Sequence, residues 1–336
     1  MNDHYYTRDP QSASRPAECE FTYRGTKMVF QTDAGVFSRG EVDTGTDLLL
    51  NALPEEMRGD ILDLGCGWGV IGICVARKWP EARVTLADIN QRALVDSVWE
   101  RVREADRRYN RFLPGSALAE VNRKAAGEAV PVDEELFMIL QLCETFRKAT
   151  SGYFDVTAGS RVPDRAVLLD ASAHTVRFSR PGMGLDLGGF VKGFVLEQAV
   201  REVSARAESA LLSFGGSSVA AVGRHPLDAP WPVAVAHSYY PNRTAHTFQL
   251  EGEALSVSGK DPHGRGHIID PATGNTLEKG GLVAVTGPSA MVTEVLSTAL
   301  WVAPAERRGD ILAAFDGYRA SEVRCLTDGQ ALTLTI

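Results

Sequence analysis

The sequence predicts a two-part α+β protein, with a partial doubly wound (Rossmann-like) α/β segment ahead of a larger mixed domain. Three stretches carry that prediction. Asp60-Ile-Leu-Asp-Leu-Gly-Cys-Gly-Trp-Gly-Val-Ile-Gly72 is an apolar strand ending in an acidic residue and spaced glycines before a helix, the arrangement that opens a doubly wound sheet. Gly184-Leu-Asp-Leu-Gly-Gly-Phe-Val-Lys-Gly-Phe-Val-Leu-Glu-Gln-Ala199 reads as a short buried strand, a double-glycine turn and an amphipathic helix. Short strands then alternate with turns through 231–259, and a helical run follows at Met291–Leu300.

Bulk properties narrow the function classes. A chain of 336 residues has room for two or three domains, and a net charge of −8 with a pI near 5.5 gives no support to a nucleic-acid partner. The opening Met1-Asn-Asp-His-Tyr-Tyr-Thr-Arg8 has no apolar core and does not read as a signal peptide. No run approaches the roughly 18 apolar residues of a spanning helix, so no membrane insertion is expected. The five cysteines (19, 66, 74, 143 and 325) are odd in number, scattered and never spaced as Cys-x-x-Cys. That pattern suits a reducing, cytoplasmic setting and argues against a disulfide frame or a thiolate zinc site.

Along the first part, Glu20–Thr32 alternates like a β-hairpin and Asp33–Asp43 is a turn-rich loop. Asp63, Gly65, Gly67 and Gly69 close the first α/β strand, where glycines let backbone approach a nucleoside ligand. Asp88 ends the next strand, Ala82–Ala87, about 20–25 residues on, where a carboxylate takes ribose hydroxyls. Ala93–Asn110 is a long helical pattern whose Arg101, Arg103, Arg107 and Arg108 form a basic stripe, either a solvated helix face or a hold for a phosphate. Phe112-Leu-Pro-Gly-Ser116 breaks it, and Ser116 is placed to cap Ala117–Lys124. A further helix, Asp133–Ala149, ends at Ser151-Gly152.

The chemistry-bearing residues gather in the second part. Tyr153-Phe-Asp-Val-Thr157 is a short aromatic strand or turn, whose Asp155 either meets a ligand or caps the turn. Arg165–Leu169 and His174–Phe178 form a hairpin about Asp170. Gly188 and Gly189 allow close backbone approach at a helix N-terminus, with Asp186 and Lys192 beside them. Ala210–Ser218 repeats the device of a strand ending in Gly-Gly. His267, in the glycine- and proline-framed loop Gly264–Gly274, has a side chain suited to taking a proton near neutral pH. Glu294 and Thr298, four apart on a helix, present a carboxylate and a hydroxyl on one face, either a Mg²⁺ pair or a buried capping pair.

From about residue 97 to 330 the chain resembles the FAD:protein FMN transferases, the flavinyltransferases of the ApbE family. The resemblance rests on Phe112–Ser116, Ser151–Thr157, Asp186–Gly193, Phe214–Ser217, His267–Gly274 and Glu294–Leu300, in that order. It implies FAD contacts from Phe112, Ser116, Tyr153, Phe154, Asp155, Asp186, Lys192 and Ile269. It implies Mg²⁺ positions at Gly189, Glu294, Ser297 and Thr298, and His267 as the base for the acceptor hydroxyl. The implied activity moves FMN from FAD to a threonine or serine of an acceptor protein and releases AMP. The chain departs from the family pattern in having Glu rather than Asp at 294, and only Gly159–Asp164 where a longer lobe is usual.

Residues 1–96 resemble a truncated class I S-adenosylmethionine-dependent ribosomal RNA guanine-N2 methyltransferase, with Asp63, Gly65, Gly67 and Asp88 as vestigial cofactor positions. That family's Asn-Pro-Pro motif is missing, for the chain contains no Asn-Pro dipeptide. The expected organisation is therefore an ApbE-like domain over 97–336, with strand 83–87 borrowed from the first segment as its opening strand. The competing readings are an RNA methyltransferase and a flavin-binding fusion without catalysis.

Overall fold

The computed structural model describes residues 17–32, 41–42, 44–64, 69–87, 89–160, 162, 164–205, 207–225, 227–240, 243–259, 268–277 and 280–336. The chain divides into two compact units, 1–100 and 101–336. Among the described residues no helix is long and apolar enough to cross a membrane.

The first unit opens with strands β1 (Ala17–Tyr23) and β2 (Thr26–Thr32), paired antiparallel so that Tyr23 faces Thr26. Arg24 and Gly25, at φ 44° and 81°, form the two-residue turn between them, the left-handed pair that suits a tight hairpin. Helix α1 (Thr44–Ala52), strand β3 (Gly59–Leu64), helix α2 (Val70–Lys78) and strand β4 (Ala82–Ala87) follow. Tyr23, Phe30, Leu50, Cys74 and Trp79 bury together as this unit's core. The Tyr23 hydroxyl donates to Leu50 O at 2.8 Å, and Trp79 Nε1 donates to Glu55 O at 2.8 Å.

β3 and β4 form a two-stranded parallel sheet, in register from Gly59↔Ala82 to Leu64↔Ala87. The sequence reading places 83–87 as the opening strand of the second domain; among the described residues this strand pairs with β3. A parallel pair joined by one crossover helix closes on itself through its own ladder, and α2 is that helix. Helix α3 (Ile89–Tyr109) follows, one helix of 21 residues.

The second unit adds helix α4 (Ala117–Lys124), strand β5 (Val130–Pro131), helix α5 (Glu134–Ala149), and strands β6 (Val167–Asp170) and β7 (Thr175–Phe178). Ser116 and Asp133 cap α4 and α5 by accepting the amides of Ala119 at 3.0 Å and Leu136 at 2.9 Å, relieving unpaired N–H groups of the first turns. Arg108 crosses to Asp133 and Glu135, 2.7 Å from each.

Next come helix α6 (Val191–Ser204), strands β8 (Ala210–Phe214), β9 (Ser218–Val222), β10 (Trp231–Ala236), β11 (Thr244–Leu250), β12 (Ala254–Gly259) and β13 (Leu282–Gly287). Helices α7 (Ala290–Val302) and α8 (Ala305–Leu312) and strands β14 (Arg319–Cys325) and β15 (Ala331–Thr335) complete the chain. Six strands form one antiparallel sheet in the order β15-β14-β13-β12-β9-β8. Alternation along each strand sorts its residues between two cores. Val283 and Val285 pack with Leu296 and Leu300 of α7, whereas Leu282 and Ala284 pack with Val235 and Leu250 of the β10–β11 hairpin.

One expected element takes another form. Leu185 and Leu187 are buried, but among the described residues Gly184–Leu187 joins no sheet. Its backbone groups are met instead by the Ser160 hydroxyl at Gly184, the Asn122 side-chain amide at both polar groups of Leu185, and Val156 O at the Asp186 amide. Burial of an apolar run needs partners for its backbone, and side chains serve as well as a ladder.

Helices α6 and α7 pack closely at Gly193. A Cβ there would stand 2.5 Å from Ala290 O and 2.6 Å from Glu294 Cβ. Gly193→Ala is therefore expected to cost about 3 kcal/mol of stability, as overpacking against backbone does, read as a lower midpoint in urea.

Candidate active site

The turn after the extended segment opens into a cavity of about 550 Å³, walled by Tyr153–Val156, the Asp186–Lys192 turn, Gly215–Ser217, the β10 bulge, the 268–271 loop and α7. It brings together Tyr153, Phe154, Asp155, Asp186, Gly189, Lys192, Ile269, Glu294 and Thr298, residues that the sequence reading selected from four separate stretches. A second cavity of about 310 Å³ adjoins it, sharing Asp186, Gly188 and Lys192 and lined also by Arg111, Phe112 and Phe214.

Three carboxylates in these walls each face one cation. Glu294 is the most buried, its side chain 5% exposed, with Lys192 Nζ 2.9 Å from its Oε1. Its Oε2 accepts from Ser218 Oγ at 2.6 Å and from Ser256 Oγ at 2.8 Å. Lys192 also donates to Ser217 Oγ at 2.9 Å. Ser256 and Ser258 alternate along β12 and so reach the same helix-facing side, where Ser297 Oγ lies 3.0 Å and 2.8 Å from their hydroxyls. Thr298 Oγ1 stands 3.4 Å from Ser258 Oγ, and 3.5 Å from where a Gly189 Cβ would be.

Asp155 is held differently. Its Oδ1 accepts from the Thr157 amide at 2.7 Å and the Thr157 hydroxyl at 2.6 Å, and Arg165 Nη2 lies 3.2 Å from Oδ2. Arg165 also donates to Thr157 Oγ1 at 2.8 Å and to Pro271 O at 2.6 Å. It thereby ties the 153–157 turn to the loop that follows His267. The turn-capping alternative for Asp155 is the one its hydrogen bonds describe. Behind this turn, burial pushes the Cys143 thiol well up and the charge of Asp155 pushes it the same way. Asp186 turns its Oδ1 to the Gly188 amide at 2.9 Å and its Oδ2 toward Arg111 Nη1 at 3.3 Å.

Other expected site residues lie elsewhere. Ser116 is 1% exposed and commits its hydroxyl to the α4 cap and to Asn110 O; it lines neither cavity. Ser297 is fully buried, and its hydroxyl turns into the serine network rather than the cavity. Phe112 lines the smaller cavity with most of its ring exposed. Asp63, in the first unit, accepts the Gly72 amide at 2.7 Å. His267, Gly65, Gly67 and Asp88 fall outside the described residues. The sequence reading missed Arg111, Arg165, Ser256 and Ser258; only the spacing of two on Ser256 and Ser258 marked a shared face.

Residues 80–321 match the ApbE family, and residues 27–126 match the methyltransferase small domain. The first match spans most of the sequence, and the chain belongs to the ApbE family. Its fold is similar to that of the ApbE protein of Thermotoga maritima, with a TM-score of 0.62 at 20% identity over 95% of this chain and 96% of that one. It is similar also to the Pseudomonas stutzeri flavinyl transferase ApbE in its apo form, with a TM-score of 0.61 at 21% identity over 73% and 86%. In sequence, the chain is 39% identical over 95 residues to the uncharacterized protein YbxB of Bacillus subtilis, 28% of this chain and 47% of that protein. It is 52% identical over 63 residues to the ribosomal RNA small subunit methyltransferase C of Pasteurella multocida, 19% of each. The chain thus spans less than half the length of these two curated relatives.

Arg165→Ala would leave Asp155 without its ion-pair partner and free the 268–271 loop. A loss of about 2–3 kcal/mol is expected, as for a largely buried charged pair, measured by chemical denaturation, with Arg165→Lys recovering part of it.

Proposed function

We propose that this chain transfers FMN from FAD to a threonine or serine hydroxyl of an acceptor protein and releases AMP. The observation that carries the reading is the pair of adjacent cavities that share Asp186, Gly188 and Lys192 in their walls. They offer separate room for the flavin and the adenosine, with the phosphates at the Gly188-Gly189 turn and the N-terminus of α6. Membership of the ApbE family supports the transfer.

In the proposed reaction the acceptor hydroxyl attacks the flavin-side phosphorus. Its new P–O bond forms as the bond from that phosphorus to the bridging oxygen breaks, and AMP departs with the oxygen. His267 takes the hydroxyl proton. Lys192 and the amides at the start of α6 favour the charge that gathers on the phosphates. Phe154 and Ile269 would wall the flavin, and Arg165 keeps their two loops together.

The oxygen donors at this position fit a hard divalent cation in kind: one carboxylate, one hydroxyl and one backbone carbonyl, a set completed by substrate phosphates. Glu294, Thr298 and the Gly189 carbonyl would hold Mg²⁺, and Ser297 would steady Glu294 through Ser256. The bound ion supplies charge neutralisation at the pyrophosphate.

For the first unit we propose an appendage without methyl transfer. The chain contains no Asn-Pro dipeptide, and Asp63 is already engaged by the Gly72 amide. We place the reaction in the cytoplasm on the cysteine pattern.

The direct test is AMP release from FAD with and without Mg²⁺ in the presence of an acceptor domain, with mass spectrometry of the acceptor. Metal-dependent AMP together with a flavinylated hydroxyl is the expected result, and FAD binding without AMP would overturn the transferase reading. His267→Ala is expected to lower the transfer rate at least about a hundredfold, as loss of a general base does; an unchanged rate would remove it from that role. Lys192→Met frees Glu294 Oε1, so Mn²⁺ titrated calorimetrically without nucleotide should bind several-fold tighter than to the parent chain. Unchanged affinity would show that the ammonium and the ion do not compete.

A further inference from the structure

We propose that Arg111 is a phosphate-binding residue at the junction of the two cavities, acting with Lys192 on the pyrophosphate of a bound dinucleotide. This rests on the reading that a dinucleotide spans both cavities; the site of Arg111 is argued from its own surroundings.

Arg111 follows the end of α3 in a turn fixed from both sides. Leu113 N donates to Asn110 O, Ser116 N donates to Leu113 O, and Phe112 N donates to Asn110 Oδ1 at 2.9 Å. The guanidinium lies over the Phe112 ring, 4.5 Å from its centroid. It lines the smaller cavity, and its Nη1 comes within 3.8 Å of the point where a Cβ on Gly159, a wall of the larger cavity, would stand. The side chain therefore sits where the walls of the two cavities meet.

Its donors are the least committed of the three cations. Arg165 has acceptors in Asp155, Thr157 and Pro271, and Lys192 has Glu294 and Ser217. Arg111 Nε is buried with no hydrogen-bond partner among the described residues. A buried donor of this kind is costly unless something fills it. Its contact to Asp186, at 3.3 Å, is longer than the roughly 2.7–2.9 Å of a strong charge-assisted bond. Asp186 is also the most exposed of the three carboxylates, its side chain 46% accessible against 9% for Asp155 and 5% for Glu294. Water can therefore take over Asp186 when the guanidinium turns to another anion. A planar fork with unused N–H groups, beside a second cation and a helix N-terminus, is suited to phosphate oxygens.

Equilibrium binding to the full chain tests this with two probes that split the dinucleotide: ADP, which carries a pyrophosphate and no flavin, and riboflavin, which carries no phosphate. Arg111→Met is expected to weaken ADP and FAD by roughly tenfold or more, as loss of a charged hydrogen bond does, and to leave riboflavin unchanged. The ADP difference should shrink at high salt, and Arg111→Lys should restore part of it. If Arg111→Met weakens riboflavin as much as ADP, the residue only shapes the cavity and the proposal fails. If the parent chain binds ADP and the variant binds it equally well, the proposal fails while the function stands. A parent chain that binds neither probe nor FAD would overturn both.

Discussion

A carboxylate as buried as that of Glu294, 4% exposed as a residue, is costly to bury unless its lost hydration is replaced. The second unit is arranged so that it is. Lys192 comes from α6, Ser218 from β9 and Ser256 from β12, and each meets a carboxylate carried by α7. The contacts that seat two helices on the central sheet are thus the same contacts that fix the deepest acidic group of the cavity. Gly193, one residue beyond Lys192, removes the side chain that would hold the helices apart. Glu197, one turn further along α6, receives Ser289 and the Met291 amide at the start of α7. Site and scaffold share one set of bonds.

That sharing explains what could be read from the residues alone. The double-glycine turn, Asp186, Lys192 and the Glu294–Thr298 spacing each announce themselves locally, because a tight approach or a helix face is encoded within a few positions. The hairpins and capping residues were legible for the same reason: Ser116 and the 165–178 hairpin stand where local chemistry puts them. Ser116 also shows the limit, since a residue that completes a motif can complete it by capping a helix and not by touching a ligand.

What the sequence did not reveal depends on pairings between distant segments. Arg165 matters because Asp155 and Pro271 come to it, and the latter is separated by 106 positions. Ser297 was grouped with Glu294 and Thr298 by the family resemblance, yet its hydroxyl belongs to a network whose other members, Ser256 and Ser258, lie on a strand. The role of Ala82–Ala87 turned on which neighbour it pairs with, and both candidate sheets want the same apolar alternation there. Strand patterns specify a face more strongly than a partner.

The segment Gly184–Leu187 shapes one wall of the cavity without a strand beside it, and this alters where heritable variation in the site resides. A ladder tolerates almost any side chain on its neighbour, because the neighbour contributes backbone. Here the support comes from the side-chain amide of Asn122 and the hydroxyl of Ser160, so those two identities are written into the position of Asp186. An exchange at Asn122, on a helix that lines neither cavity, is in effect a change to the binding site. Divergence of this turn among descendants of the chain would then be paced by the slower-changing of these two distant codons rather than by the glycine-rich stretch itself.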